Sequence, residues 1–557
     1  MVRQMLKVVY KEVRGLHQAA YVLGLFAFGS QLLALLRDRL LAHQFGAGAE
    51  LDVYYAAFRV PDLLYVLLAS TLSVYVLIPF VAKAREAGGD AEARRLLSQV
   101  FSAFLLVYIF VAVLVFLLAP IIVPHLFPGI ADTESLVMLS RILLLQPLFL
   151  GISSLFGVVT QLGHRFVLYA ISPLIYNLGI IFGVVALYPW FGLSGLAGGV
   201  VLGALGHMLI QLPLVQKSEL RFSLVRKVDL SRLRSVLMLS LPRALTLSLN
   251  QIVLLLLIGF ASAMTVGSVS VFQFAYNLQS VPLAVIGVSY SVAAFPMLAE
   301  LYAGKDHKAF WFHIETALRH IIFWSLPAAA LIIVLRAQIV RVVLGSGAFD
   351  WSDTRLTAAV LAVLSLALVA QAVNLLMIRA FYAGGHTRSP LLITFVGSLL
   401  ALGSALTFYT LYVAHPTTQY VVSAFMRLSD VAGSEVLAVA FGYALATVVQ
   451  SAVLVLALCR TYQNRFSSLW RQLIRAFAAA SLGGISAYAA LNFLVEGLNT
   501  ETFIGIFLQG FLAGVIGIVG VVLAYAGLRS PELHEIYTSF QRRLLKTDVL
   551  APQEEVL

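Results

Sequence analysis

The sequence predicts an all-α polytopic membrane protein of about fourteen transmembrane helices, with two six-helix lobes related by a parallel repeat and two further C-terminal helices. Three observations support this fold class. The composition is strongly apolar, and the apolar residues form continuous runs of about 20 residues or more. Segments of the first half of the chain also recur after an offset of about 220 residues.

The composition excludes a soluble protein. Of the 557 residues, 61% are hydrophobic and 11% are charged, whereas soluble domains average about 45–50% apolar and about 25% charged residues. The single cysteine, Cys459, excludes a disulfide within the chain and a cysteine-based metal cage. The net charge of +11 is concentrated in loops, which favours contact with anionic membrane lipids, and no motif supports a nucleic-acid partner.

The apolar runs predict the positions of the helices. Their approximate limits are 16–42, 51–82, 97–120, 136–161, 166–188, 193–215, 235–263, 268–301, 311–335, 355–383, 389–413, 434–459, 472–495 and 503–528. With a cytoplasmic N-terminus, the inner segments collect about 25 Lys and Arg residues and the outer loops about 4, as the positive-inside rule requires. Both termini are therefore predicted to be cytoplasmic.

The internal repeat relates the second helix to the eighth and the fifth to the eleventh. The segment around Pro79 parallels that around Pro296, and "QLGHRFVLYAISPL" (161–174) parallels "YAGGHTRSPLLI" (382–393). An offset of six helices is even, so both copies keep the same orientation in the membrane. Chance similarity between apolar helices is the alternative, but the matched loop residues favour a true repeat.

The repeat and the charge pattern divide the chain into six segments. These are an amphipathic cytoplasmic N-terminus (1–15), an N-lobe of helices 1–6 (16–215), a basic cytoplasmic linker (216–234), a C-lobe of helices 7–12 (235–460), helices 13–14 (461–528) and a cytoplasmic tail (529–557). A polar stretch at about 414–433 is predicted to be an external insertion. Two such lobes enclose a cavity that opens to alternate sides, which is transporter architecture.

Two arginines in the first two helices are candidates for that cavity. Arg37 and Arg59 lie within apolar helices, where a charge costs roughly 2.5–3.5 kcal/mol on insertion scales unless it faces a cavity or a partner. For Arg37 the alternative is a side chain that extends to the outer headgroups. A cavity lined by guanidinium groups would suit a phosphate-bearing substrate, because each group binds two oxygens at once.

Other polar residues join these candidates, each with a structural alternative. Asp52 opens the second helix and would also favour its N-terminal dipole. Arg243 and Asn250 follow Pro242 in the seventh helix, although Arg243 would equally anchor a helix end at the headgroups. Asn277 in the eighth helix is a cavity candidate that would also serve as a bridge between helices.

Gly195, Gly199 and Gly203 predict close helix packing, while Arg141 and Arg379 near helix ends are interpreted as structural.

Several segments together resemble the MurJ/MviN lipid II flippases of the multidrug/oligosaccharidyl-lipid/polysaccharide exporter superfamily. They are "LLALLRDRLLAHQFGAGAELDVYYAAFRVPDLL" (32–64), "GHRFVLYAISPLIYNLGIIFG" (163–183), "LPRALTLSLNQI" (241–252), "NLQSVPLAVIGVSYSVAAFP" (277–296) and "RAFYAGGHTRSP" (379–390). The resemblance covers about residues 16–530. It implies fourteen helices, a central cationic cavity, and a groove along helices 13–14 for a polyprenyl tail.

The family's polar residues carry over in part. The resemblance places the arginine of its "RD" pair on Arg37 and its early acidic residue on Asp52. Three further family arginines fall on uncharged residues of this chain: Gln31, Tyr65 and Asn277. Arg59 and Arg243 are candidate replacements for these cations. The acidic residue that some members use for sodium in the seventh helix falls on Leu257.

The function implied by the resemblance is a lipid II flippase, which moves the polyprenyl-pyrophosphate-linked peptidoglycan precursor to the outer leaflet of the bacterial cytoplasmic membrane by alternating access. The alternative is a multidrug exporter, or an exporter of another lipid-linked oligosaccharide, from the same superfamily. An enzyme is a third class, for which the sequence offers neither a Walker loop nor a His-Glu-x-x-His motif. We expect a monomer that binds membrane lipids and holds no cofactor or metal. Coupling to an ion or to the membrane potential stays open.

Overall fold

The computed structural model describes residues 16–69, 74–225, 228–466, 469–494 and 502–544, and throughout these ranges the chain is helical and has no β-strand. The predicted all-α membrane fold is therefore confirmed. The predicted amphipathic N-terminus (1–15) lies outside the described residues. Of the predicted tail, the described part contains a helix that begins at Pro531.

The helices are numbered here in chain order. They are α1 (Leu16–Phe45), α2 (Ala49–Ala57), α3 (Arg59–Leu64), α4 (Val74–Leu126), α5 (Thr133–Leu143), α6 (Leu145–Leu162), α7 (Phe166–Phe182), α8 (Tyr188–Leu209), α9 (Leu212–Lys217), α10 (Leu230–Ser262), α11 (Ser268–Leu283), α12 (Ser289–Ala303), α13 (His307–Val343), α14 (Trp351–Leu366), α15 (Leu368–Ala383), α16 (Arg388–Ala414), α17 (Pro416–Met426), α18 (Leu437–Thr461), α19 (Leu469–Ala489), α20 (Phe503–Gly527) and α21 (Pro531–Leu544). The predicted external insertion at 414–433 contains α17.

Ten helical segments of the described chain are long and apolar enough to cross a membrane. The pair α14 and α15, bent by 44°, makes an eleventh if it is counted as one span. Two of the ten contain non-helical glycines with positive φ, Gly89 in α4 and Gly192 in α8. The predicted count of fourteen transmembrane helices stays a prediction.

Breaks in the helices recur at the offset of the sequence repeat. A π-helical turn begins at Tyr65 in the second predicted helix and another at Ala284 in the eighth, 219 residues later. The fourth predicted helix breaks at Leu144, between α5 and α6, and the tenth breaks at Ala367, 223 residues later. These two matches agree with the predicted repeat, whereas the π-helical turns that begin at Gly183 and Ala490 have no counterpart at this offset among the described residues.

The helices form two compact units. One contains residues 1–278, 343–363 and 387–450, and the other contains 279–342, 364–386 and 451–557. The lobes predicted from the repeat (16–215 and 235–460) divide the chain differently and stay a prediction. In the first unit, Leu77, Leu97 and Phe104 belong to a core cluster around α4. In the second, the Tyr525 hydroxyl donates to the carbonyl of Phe323 at 2.8 Å.

Glycines bring α7 and α8 into backbone contact, as their spacing predicts. A Cβ added at Gly199 would lie 2.3 Å from the Cα of Gly183, and one added at Gly203 would lie 2.5 Å from the carbonyl oxygen of Tyr176. Contacts this short are incompatible with any side chain. Gly199 contacts Gly183, directly after the end of α7, and Gly203 contacts Tyr176 within α7. The residue number of the partner therefore falls as the residue number in α8 rises, so the two helices run antiparallel.

Replacing Gly199 by alanine is expected to destabilise this helix pair. The new methyl group meets backbone atoms, which cannot rotate away, so overpacking should cost about 1–3 kcal/mol. The measurement is the thermal unfolding midpoint of the purified protein in detergent. The matched control is Gly403→Ala in α16, where nothing lies within 4 Å of the added Cβ. Equal midpoints for the two variants would contradict the packing role of Gly199.

Candidate functional site

A polar cavity of about 210 Å³ lies within the first unit. Its walls come from α1, the α2–α3 segment, α6, α7 and α11, which correspond to the first, second, fourth, fifth and eighth predicted helices. The lining residues are Arg37, Leu41, Tyr54, Tyr55, Phe58, Arg59, Asp62, Gln146, Tyr176, Ile180, Gln273 and Asn277. Three of the predicted site residues, Arg37, Arg59 and Asn277, are therefore brought together.

A chain of hydrogen bonds connects the two arginines. Arg37 donates through Nε and Nη2 to Oδ1 of Asp38, at 2.9 and 2.8 Å. Asn277 donates to the other oxygen of Asp38 at 3.0 Å, and Gln273 donates to the Asn277 amide oxygen at 2.6 Å. Arg59 in turn donates to the amide oxygen of Gln273. The amides of α11 thus fix the positions of both guanidinium groups relative to each other.

Two buried donors in this cavity have no hydrogen-bond partner among the described residues. They are Nε of Arg59 and the hydroxyl of Tyr55. A buried donor without an acceptor costs about 1–3 kcal/mol, and more when the donor is charged. Both side chains line the same cavity. A ligand with several acceptor oxygens would satisfy them, so the arrangement favours an anionic or oxygen-rich group.

The cavity is less cationic than the sequence predicted. Arg37 and Arg59 present two positive charges, but Asp62 also lines the wall and Asp38 lies buried behind Arg37. Each guanidinium therefore has a carboxylate nearby, which lowers the cost of burying it. Asp38 orients Arg37 through two hydrogen bonds, and the cavity presents directed donors and little net positive charge.

Asp52 lies outside the cavity lining, and its carboxylate caps the N-terminal end of α11. One carboxylate oxygen accepts from the backbone N–H of Gly267 at 2.7 Å. The other accepts from the backbone N–H and the hydroxyl of Ser270, at 2.8 and 2.6 Å. Three donors occupy this carboxylate, which places it in a capping position for the helix that carries Gln273 and Asn277. A substrate contact by Asp52 stays a prediction.

The loops around Asp52 are joined by further backbone contacts. The N–H of Ala47 donates to Asp353 at 3.1 Å, and the N–H of Ala348 donates to the carbonyl of His43 at 2.9 Å. A Cβ at Gly267 would lie 2.1 Å from the carbonyl oxygen of Ala47. The loops that follow α1, α10 and α13 therefore meet at one end of the first unit.

Asp52→Asn is expected to lower the thermal stability by about 1–3 kcal/mol, because the amide nitrogen would face a backbone N–H donor of α11. Thermal unfolding of the purified variant measures this. Asp306→Asn is the matched control, since Asp306 caps α13 through one bond to Ala309 and asparagine caps a helix equally well. A loss no greater than that of the control would contradict a capping role for Asp52.

The remaining predicted site residues are not brought into the cavity lining. Gln31 on α1 is half-buried, and Asn250 on α10 is exposed. Arg243 belongs to α10, but its side chain lies outside the described residues. Their proposed contacts with substrate stay predictions.

Sequence reasoning missed Asp38, Gln146 and Tyr176 as parts of this site. Adjacent residues are about 100° apart on a helix, so helical spacing alone does not place Asp38 with Arg37. The long Arg37 side chain reaches back to its neighbour. The adjacent "RD" pair was the available signal, since a carboxylate buried beside a guanidinium is the usual way to neutralise both.

The second unit presents an exposed aromatic row on the last predicted transmembrane helix. Phe503, Phe507 and Phe511 of α20 follow one another at intervals of four residues, with ring centroids 6.4 and 5.8 Å apart. All three side chains are exposed. Such a row offers a surface for apolar chains from the bilayer, at the place where the resemblance implies a polyprenyl groove.

Apolar spans around a polar cavity with two arginines define the class: a polytopic membrane protein with a polar cavity between its helices. Residues 41–514 match the sequence model of the family described as "Lipid II flippase MurJ". Because this match covers most of the chain, the chain belongs to the MurJ lipid II flippase family.

Individual relatives agree with this assignment. The chain is 29% identical over 393 residues to a "Probable lipid II flippase MurJ" of Rhizobium meliloti (strain 1021), covering 68% of this chain and 73% of that protein. It is 26% identical over 385 residues to the protein of the same description in Thermotoga maritima, covering 68% and 76%. The predicted family is thus confirmed.

Solved structures agree on the fold. A structure described as "Lipid II flippase MurJ, inward closed conformation" has a TM-score of 0.72 and 20% identity, covering 91% of this chain and 99% of that one. An inward-facing multidrug resistance MATE family transporter of the MOP superfamily has a TM-score of 0.62 and 16% identity, covering 78% and 94%. The higher score and coverage favour the flippase fold over the multidrug one.

Proposed function

We propose that this protein is a lipid II flippase, which moves the polyprenyl-pyrophosphate-linked peptidoglycan precursor between the leaflets of the bacterial cytoplasmic membrane. Membership of the MurJ family supports this function. The observation in the site that carries the proposal is the pair of arginines held by Asp38, Asn277 and Gln273, with the Arg59 Nε donor unpaired. These donors fit the oxygens of a diphosphate.

The size of the cavity restricts which part of the substrate it holds. Its volume of about 210 Å³ is below the range of roughly 300–1,000 Å³ that is usual for whole small-molecule ligands. We therefore assign the diphosphate to this cavity and leave the sugar and peptide outside it. The polyprenyl tail would lie along α19 and α20, where the exposed row of Phe503, Phe507 and Phe511 offers apolar contact.

We further propose the membrane orientation and the transport cycle. Both termini are cytoplasmic in this proposal, because that orientation places about 25 of the loop Lys and Arg residues inside. The two predicted lobes would expose the cavity to one side of the membrane at a time. The protein would act as a monomer, without a cofactor, and coupling to an ion or to the membrane potential would supply direction.

The test is replacement of the resident flippase in a depleted bacterial strain. We expect expression of this chain to restore growth and to return lipid II to the outer leaflet, measured by its accessibility to an external lipid II-degrading enzyme. A strain in which the protein is inserted but lipid II stays in the inner leaflet would contradict the function. Export of cationic dyes without lipid II movement would instead support the multidrug alternative, which the family membership does not favour.

A further inference from the structure

A second and larger opening of the first unit shares no lining residue with the arginine cavity. This lateral groove of about 930 Å³ runs between the second half of α4 and the α5–α6 pair. Ile109 and Val113 of α4 and Leu145 and Leu148 of α6 form part of its apolar wall. Its polar lining comes mainly from the first helix of that pair, at Thr133, Glu134 and Arg141.

The groove opens toward the lipid bilayer. Leu106, Phe110 and Leu117, on the same stretch of α4, are 65–70% exposed, and this stretch belongs to the most hydrophobic candidate span of the chain. An apolar surface of this kind is covered by lipid in a membrane protein. The occupant therefore comes from the membrane and brings an apolar chain, which excludes a water-soluble ligand.

Arg141 is held at a fixed place in this groove. Its Nε donates to the carbonyl oxygen of Phe116 at 3.0 Å, and its guanidinium carbon lies 4.5 Å from the centre of the Phe116 ring. Within the described residues, no acceptor is bonded to its two terminal nitrogens. These nitrogens form the bidentate end of the guanidinium, the end that suits a phosphate group.

Glu134 lies seven residues before Arg141 on α5, two turns nearer the helix start and on the same side. Its side chain is exposed in the groove. The rise between the two residues is about 10 Å, and the guanidinium group of Arg141 is anchored at the carbonyl oxygen of Phe116. The carboxylate therefore lies nearer the start of α5, and the cation lies about two turns further along the helix.

The order of groups along the groove matches one class of lipid. Apolar residues lie deepest at Leu145 and Leu148, then Arg141, and then Glu134 at the start of the helix pair. A phospholipid with an ammonium headgroup has its acyl chain, its phosphate and its ammonium in the same order. We propose that the lateral groove is a binding site for one phosphatidylethanolamine-type lipid, with its phosphate on Arg141 and its primary ammonium on Glu134.

The carboxylate distinguishes this lipid from the alternatives. An anionic phosphatidylglycerol would bring a hydroxyl group, with no positive charge, to Glu134. A choline headgroup is positive but has no N–H to donate, so it would form no charge-assisted hydrogen bond with the carboxylate.

The groove also contacts the break at Leu144, and Gln146, two residues further, lines the arginine cavity. Lipid bound here would thus brace the helix that carries part of the transport site.

Native mass spectrometry of the purified full-length chain tests the proposal, with dioleoyl phosphatidylethanolamine, phosphatidylglycerol and phosphatidylcholine added at equal concentrations. Only the ammonium of phosphatidylethanolamine donates a charge-assisted hydrogen bond to Glu134, so the wild type is expected to prefer this lipid by about tenfold. Glu134→Gln should abolish this preference, and Arg141→Gln should weaken the binding of all three lipids. Arg141→Lys should retain part of the binding.

Matched controls are Arg388→Gln and Glu300→Gln, which alter exposed charged side chains outside the groove and should leave the lipid preference unchanged. Leu145→Trp, which fills the groove without changing its charge, should reduce binding of all three lipids. Equal binding of the three lipids by the wild type would overturn the proposal, as would a preference for phosphatidylglycerol. A preference that survives in Glu134→Gln would overturn the assignment of the ammonium to that carboxylate.

Discussion

Arg37→Ala is expected to abolish lipid II flipping while the protein stays inserted in the membrane. The change removes Arg37, one of the two arginines that line the cavity. Asp38 then keeps its hydrogen bond from Asn277 but loses those from Arg37. Loss of a desolvated ionic contact to a phosphate costs about 2–5 kcal/mol, equivalent to roughly thirtyfold to several thousandfold in affinity. Growth of a flippase-depleted strain and the leaflet distribution of lipid II measure the effect.

A conservative variant separates the charge of Arg37 from its geometry. Arg37→Lys should recover part of the activity, because an ammonium keeps the charge but cannot bond Asp38 through two nitrogens and Asn177 through a third. Arg388→Ala, at the exposed start of α16, is the control and should flip normally. Normal flipping by Arg37→Ala would show that this arginine serves only the local structure.

Arg59→Met is expected to abolish flipping and to reduce stability. Arg59 is only 8% exposed, and its charge interacts with that of the neighbouring Asp62. Methionine fills similar space but leaves the half-buried Asp62 carboxylate without this cation. Removing the partner of such a group is expected to cost about 1–3 kcal/mol. Thermal unfolding and the same leaflet measurement report the two effects separately.

The double variant Arg59→Met/Asp62→Asn separates these roles. Removing both charges eliminates the uncompensated carboxylate, so the thermal midpoint should return most of the way to that of the wild type. Flipping should stay absent, because the cation that faces the diphosphate is still missing. A double variant that is stable and also flips lipid II would show that Arg59 serves only to neutralise Asp62.

Much of this organisation could be predicted from the sequence because it follows from residue chemistry. Continuous apolar runs predict transmembrane helices, and the glycine spacing predicts the α7–α8 contact that brings Gly199 against Gly183. The placement of Arg37 and Arg59 in one cavity followed from the cost of burying a charge in lipid. These are local properties of a helix and its surroundings.

The parts that the sequence left unresolved depend on contacts between residues far apart in the chain. Asp52 is predicted as a site residue from its place at the start of the second helix and from the family resemblance. Its capping contacts could not be predicted, because the donors come from Gly267 and Ser270, more than 200 residues away. The bonds of Asn277 to Asp38 and of Gln273 to Arg59 likewise require knowledge of which helices pack together. Helical periodicity indicates which residues share a face of one helix, but it does not indicate which distant helix packs against that face.

The central claim is that the arginine cavity binds the diphosphate of the lipid-linked precursor. Its most direct test is equilibrium binding of lipid II to the purified protein, compared between the wild type, Arg37→Ala and Arg37→Ala/Asn277→Arg. Asn277 already contacts Asp38, so an arginine there would return a cation to the same carboxylate. We predict that Arg37→Ala weakens binding at least tenfold, that the second substitution restores part of it, and that inorganic pyrophosphate competes with lipid II. Equal binding by the wild type and Arg37→Ala, with no competition by pyrophosphate, would contradict the claim.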